Sequence, residues 1–403
     1  MKLAKHKEKI FNAPLIYLIL FCFIELFGFN PDRFEDSIVI RNIVLPYIKM
    51  NITVVMATIS VLAILLIVIN GKKSVNDVAT WLIIRIPLYF LPILFISGDY
   101  KIGVAYAVFQ CFFSYFIGHN YEGELSKVIK VIALFSICIA IEVYAVIIIN
   151  GISIFAPDLK WYMVIPMGRS NYIDTILIPS FMLVDLFYVH RSNPWLRLFF
   201  SIFIGGAVLA TGSKLGLAVF IAYLVVESFE YFFEANKLKR STILKGGIFI
   251  LFIILILIFA LTVFSDEIYG IVFRYVNNNI FENRIKVFSD SFNLIFESFL
   301  FGRSAYSYHV FDAAKAHNWI LESLIQTGVA GTVVYIVCLI LSIKKINNLK
   351  DKRMRRMWLF FVVFYLIHGL GEPNLFGTTS DAFFWLMIGF ANCKSLAQNN
   401  KLN

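Results

Sequence analysis

The sequence predicts an all-α protein, a polytopic membrane helix bundle of about twelve transmembrane helices with one large loop on the outer face. Three observations carry that prediction. Of the 403 residues, 60% are hydrophobic and 15% charged, far from the balance of a soluble globular domain; mean hydropathy is +0.79. Apolar windows of spanning length recur from one end of the chain to the other. Lys and Arg gather in alternate connections between those windows, as cytoplasmic loops require.

Taken in order, the windows lie at 10–30, 50–70, 78–97, 102–119, 128–149, 171–190, 198–212, 215–232, 246–265, 318–343, 358–370 and 383–397. Gly212-Ser213-Lys214 alone separates the seventh from the eighth, which predicts a tight helical hairpin. With residue 1 on the inside, the inner connections hold roughly 22 of the 36 Lys and Arg. Residues 344–356 carry seven of these. Both termini then lie inside. The chain divides into 1–265 (the first nine helices), 266–316 (the large outer loop) and 317–403 (the last three). Within the loop, Ile285, Phe288, Phe292, Ile295 and Phe299 recur at helical spacing, which predicts an amphipathic helix on the membrane surface.

The same data exclude several classes. A net charge of +10 is accounted for by the inner loops, so nucleic acid is not an expected partner. Cys22, Cys111, Cys138, Cys338 and Cys393 show no disulfide or metal-ligand spacing, and no cofactor or metal is expected. No phosphate-binding glycine loop occurs. The Lys-rich N-terminus leads into an apolar run too long for a signal-peptide core and lacks a small-residue cleavage site, which predicts a retained first helix.

Chemistry concentrates in and around the outer loop. His317 stands where the loop re-enters the membrane, directly before a helix. Its ring titrates near neutral pH and can take a proton from a hydroxyl. Asn318 or Glu322 lies at a spacing suited to orienting it. The competing reading is an interfacial histidine bonded to a backbone carbonyl. Arg284 and Lys214 are cations at helix ends on the outer face, Arg as a bidentate fork and Lys as a point charge for an anion. Gly212-Ser213-Lys214 also offers free N–H groups at a helix start. A snorkelling lysine is the plain alternative for Lys214. Arg169, Arg274 and Arg303 repeat the argument more weakly. Glu372 and Asp381 on the last outer connection either face the His317 cavity or are simply solvated. Inside the windows, Glu25, Arg85 and Glu142 are ionisable, and an ion pair of Arg85 with Glu142 or Glu25 is the expected arrangement. The whole suits a substrate with a lipid-borne pyrophosphate and a hydroxyl to be activated.

Three stretches resemble the superfamily of bacterial O-antigen ligases and polymerases. Ala210-Thr211-Gly212-Ser213-Lys214-Leu215-Gly216 is similar to that family's Thr-x-Ser-Arg hairpin tip, with Lys in place of Arg. Asn283-Arg284-Ile285, followed by an amphipathic helix and Leu300-Phe301-Gly302, resembles its Arg-led loop segment. His317-Asn318, Leu321-Glu322, Gly328 and Gly331 resemble the start of the helix after its large loop. The twelve-span topology matches over nearly the whole chain.

The resemblance implies a GT-C-like, metal-independent glycosyltransferase of the bacterial inner membrane, active on the periplasmic side, with an undecaprenyl-pyrophosphate-linked oligosaccharide as donor. It implies His317 as base, with Arg284 and Lys214 on the pyrophosphate. Arg169, Arg303, Asn318, Glu322 and Glu372 are the expected substrate-binding residues, and Arg303 is placed to compensate for Lys at 214. A polymerase joining lipid-linked repeat units is the first expectation, with a chain-length regulator protein and membrane lipid as candidate partners. A ligase acting on lipid A-core shares the same motifs. A flippase or transporter is the rival of another class; it would place its ionisable residues through the middle of the bundle.

Overall fold

In a computed structural model the chain is mostly helical, and the residues described are 12–29, 43–71, 74–94, 102–154, 156, 159–189, 194–235, 280–304, 316–372, 375 and 379–393. The helices are α1 (Ala13–Phe27), α2 (Ile52–Ile69), α3 (Asp77–Phe90), α4 (Ile102–His119), α5 (Leu125–Asn150), α6 (Ser170–Val184), α7 (Pro194–Thr211), α8 (Lys214–Ala235), α9 (Ile280–Glu297), α10 (Trp319–Asn347), α11 (Lys352–His368) and α12 (Thr379–Ala391). Every apolar window holds one of them except 246–265, which lies outside the described residues. The described residues also include two minimal strand pairs. Gly28–Phe29 runs parallel to Ile48–Lys49, and Val164–Ile165 forms an antiparallel turn with Gly168–Arg169 ahead of α6.

By length and composition, four helical stretches among the described residues can cross a membrane: Ile52–Ile69, Asp77–Leu94, Leu125–Asn150 and Trp319–Asn347. The outward faces of these helices, and of the shorter apolar helix α7, are apolar. Leu62 and Leu65 on α2, Leu134 and Ile148 on α5, and Phe199 and Ile202 on α7 all stand exposed, the distribution that lipid rather than water stabilises. α12 is the opposite case: from Ala382 to Ala391 it is apolar and buried on every side, as a central helix must be. It packs on α4 where Gly118 meets Gly389: a Cβ on Gly118 would come within 2.4 Å of the Leu386 carbonyl oxygen, so the small residues set the close approach.

The window at 318–343 is not one straight span. At Gly328 (φ 60, ψ −168) the backbone leaves the helix and turns back. Ser323 Oγ and Thr332 Oγ1 stand 2.8 Å apart, whereas a straight helix would separate their Cα atoms by about 13 Å. The Trp319 and Tyr335 rings lie 6.1 Å apart, centre to centre, against an axial separation of about 24 Å in a straight helix. α10 is therefore a short leg, Trp319–Thr327, folded against a long one, 329–347. The long leg alone measures about 28 Å, enough to cross the hydrocarbon core.

α9 also departs from expectation. The helix starts before residue 285 and carries Arg284 within it. The stripe it buries is Val287, Ser291 and Ile295, spaced i, i+4, i+8 on one face. Val287 and Ile295 pack on Ala316, Leu321 and Ile325 of the short leg. Ile285, Phe292 and Phe296 point away and are exposed among the described residues, so one side of α9 is held by protein.

At the far end of α6 an ionic cluster ties four helices together. Arg197 forks onto Asp185 (3.0 and 3.1 Å), which also accepts from Tyr223 Oη at 2.8 Å. Arg356 pairs with Glu227, and Arg353 donates to the carbonyls of Leu186 and Phe187 in the π-turn Asp185–Val189. In the interior, Arg85 lies 4.8 Å over the Tyr335 ring. The Tyr335 hydroxyl and Cys111 Sγ both reach Asp381 (3.4 and 3.0 Å). Asp381 is thus part of the buried bundle and not a solvated loop residue. Arg85 thus lies over Tyr335 and within electrostatic reach of Asp381, whereas the sequence suggests a pair with Glu142 or Glu25.

Candidate functional site

The site is built on the hairpin between α7 and α8. α7 ends at Thr211, Gly212 turns the chain (φ 69), and Ser213 begins α8 by accepting the Gly216 N–H on its Oγ at 3.3 Å, the geometry of an N-cap. Beneath the tip lies Asp174 of α6, fully buried. Its Oδ2 accepts the Thr211 hydroxyl at 3.0 Å, and its Oδ1 has no hydrogen-bond partner. Gly216 makes this approach possible, because a Cβ there would stand 2.1 Å from Asp174 Oδ2. Lys214 is half-buried at the first position of α8. Burial and, second, the nearby Lys160 charge hold its amine below the ordinary lysine range.

The start of α10 and the end of α11 meet beside this tip. Asn318 caps α10, its Oδ1 accepting from Ile320 and Leu321 N–H (2.9 and 3.2 Å). Its Nδ2 donates to the Leu370 carbonyl at 3.0 Å. The next N–H, of Trp319, donates to Gly369 O at 2.8 Å. These bonds clamp the entry of α10 to the turn after α11 and set His317 against Glu372, with Nδ1 and Oε2 3.4 Å apart. His317 holds a left-handed backbone (φ 51), a strained conformation for a residue with a Cβ. Glu372 Oε2 is mostly buried and the imidazole is a third exposed. Gly371 then presses on Leu215: a Cβ on Gly371 would lie 2.7 Å from Leu215 Cδ2. Lys160 and Glu372 both lie within electrostatic reach of Asp174. Hairpin tip, imidazole and carboxylates therefore share one end of the bundle.

The expected site residues whose side chains are described fall into three groups. His317 and Glu372 are brought together, and Lys214 lies at the same end of the bundle, next to the Leu215 that Gly371 meets. Asn318 and Glu322 have framework roles: Asn318 in the cap, and Glu322, fully buried, accepting from Ala316 N (3.0 Å) and Gln326 Nε2 (2.6 Å). Glu372, not Asn318 or Glu322, is the side chain beside the His317 ring. Arg303 and Arg169 are not seen to join them. Arg303 pairs with the exposed Glu297, with no contact to Lys214 or His317 among the described residues, and Arg169 is exposed at the start of α6. The backbone of Arg284 is within α9; its side chain and all of Arg274 lie outside the described residues.

Asp174 and His368 were not singled out from the sequence. Asp174 is an acid inside the apolar window 171–190, the same signal that picked out Glu25 and Glu142. His368 is fully buried against Phe364, ring centres 5.2 Å apart, and its carbonyl accepts the Glu372 N–H at 3.1 Å. Nothing in the spacing distinguishes it from a core aromatic residue.

Lipid-facing apolar helices around a polar centre at one end define a helical membrane protein. No protein-family model matches the chain, and no curated protein matches it.

Proposed function

We propose that the protein is a glycosyltransferase of the bacterial inner membrane that polymerises lipid-linked repeat units at the periplasmic face. The observation that carries this reading is the convergence of His317–Glu372 with the Lys214 hairpin tip, through Gly371 against Leu215. With Nδ1 turned to Glu372, the other ring nitrogen is free to accept the proton of an acceptor hydroxyl, and Glu372 stabilises the imidazolium that forms. The acceptor oxygen attacks the anomeric carbon, the bond from that carbon to the pyrophosphate oxygen breaks, and the departing charge falls to the Lys214 amine and to the Lys214 and Leu215 N–H groups at the start of α8. Arg284, in the helix packed on the His317 leg, is the second cation of this reading.

The test uses purified protein in detergent with its undecaprenyl-pyrophosphate-linked repeat unit. A ladder of products that vanishes in His317→Ala supports polymerisation. Transfer that begins only when lipid A-core is added makes the protein a ligase. No transfer in either assay returns the reading to a transporter.

A further inference from the structure

We propose that the Phe299–Ser304 segment is a splint that holds α10 folded and thereby sets where His317 stands, with Gly302 and Gly328 as its positioning residues. A helix broken at Gly328 strands the last carbonyls of one leg and the first N–H groups of the next, and stranded groups are costly in a membrane bundle. The segment meets both sets. The N–H groups of Arg303 and Ser304 donate to Ile325 O and Gln326 O at 2.7 and 2.8 Å, while the carbonyls of Phe299 and Leu300 accept from Val329 and Ala330 at 2.9 and 3.1 Å.

This backbone-to-backbone fit leaves no room for side chains. A Cβ on Gly328 would lie 2.4 Å from the Leu300 carbonyl, and one on Gly302 would lie 2.5 Å from Gln326 C. Both glycines also hold positive φ (60 and 72), open to glycine at little cost. The short leg is then fixed at its break by the splint and at its start by the Trp319–Gly369 and Asn318–Leu370 bonds. His317 precedes that pinned start. α9 runs directly into the splint and packs on the same leg, so Arg284 and His317 belong to one mechanical unit.

The test is a Ser323→Cys/Thr332→Cys pair oxidised with diamide in native membranes, the linked peptides being identified by mass spectrometry. The disulfide forms readily if the legs are folded, and its absence overturns the proposal. Gly328→Ala is expected to cut the cross-linking yield severalfold. It should also lower turnover in the repeat-unit assay by about a hundredfold, the scale of a 1 Å misplacement, with KM for the donor unchanged. Closing the disulfide in the Gly328→Ala chain restores turnover. Val329→Pro, which removes one splint bond at a position where proline is tolerated, is the milder variant should Gly328→Ala fail to accumulate. Cross-linking and turnover at the parent level in both variants overturn the splint. The activity arm rests on the proposed transferase reading. If the parent chain transfers no sugar, that reading fails while the cross-linking yields still decide the splint.

Discussion

Ser323 and Thr332 meet hydroxyl to hydroxyl at 2.8 Å across the fold in α10. Thr332 Oγ1 is also 2.7 Å from Gly328 O, so the threonine serves the break as well as the pair. Ser323→Ala leaves Thr332 with its Gly328 contact and should destabilise the detergent-solubilised protein by about 1 kcal/mol. Thr332→Val removes both contacts and should cost more. Equal melting temperatures for the two variants would contradict this ordering.

His317 and Glu372 act as a unit in the proposed transfer. His317→Ala removes the base and should lower turnover by roughly 10²–10⁴-fold. Glu372→Gln keeps the shape but removes the charge that stabilises the imidazolium. The loss of one charge-assisted contact, about 1.5–3 kcal/mol, corresponds to roughly ten- to hundredfold in rate. Measured turnover of both variants, each normalised to folded protein, checks the ranking; a Glu372→Gln effect as large as that of His317→Ala would point to a direct role for Glu372.

Lys214 gives the site a pH signature. Its amine titrates below the ordinary lysine range because of burial and of Lys160. Anion binding that depends on the protonated amine is therefore present below that lowered value and lost as pH rises through it, earlier than for a solvated lysine. Inorganic pyrophosphate binding, titrated against pH, should show this alkaline limb. Lys214→Arg should move the limb upward, since the guanidinium stays charged. A limb that ignores the substitution would assign it to another group.

Arg303 provides a negative prediction. Its pairing with Glu297 is exposed, and such pairs contribute about 0–1 kcal/mol. Arg303→Ala should leave turnover within about twofold and stability within 1 kcal/mol. A large fall in turnover would bring Arg303 back to the pyrophosphate.

At the other end of the bundle, Asp185 is fully buried and relies on Arg197. Arg197→Ala strands that carboxylate and should cost about 3–5 kcal/mol, read as a large drop in melting temperature. Arg197→Ala/Asp185→Asn should recover part of it. The site at the Lys214 end does not touch these residues, so KM should hold in whatever protein remains folded.

Composition and periodicity alone determined that the chain is a helical membrane protein, and they placed the apolar helices of the described bundle with ends off by up to about seven residues. They also marked His317, Lys214 and the hairpin tip, because a polar residue at the edge of an apolar run is visible in one dimension. What only the tertiary structure decided are the relationships between distant positions. Hydropathy reads 318–343 as one continuous span, since its average is blind to a reversal that depends on Gly328 fitting against Leu300. The imidazole takes Glu372 as partner, 55 positions away in sequence, and not the helical neighbour Glu322, whose carboxylate is spent on Ala316 and Gln326. Asp174 lies under the tip only because α6 packs beside α7 and α8, and Arg85 reaches Tyr335 and Asp381 only because α3, α10 and α12 meet. A residue's type and its periodicity are local properties; which buried charge meets which hydrogen-bond partner is settled by the packing of helices far apart in the chain.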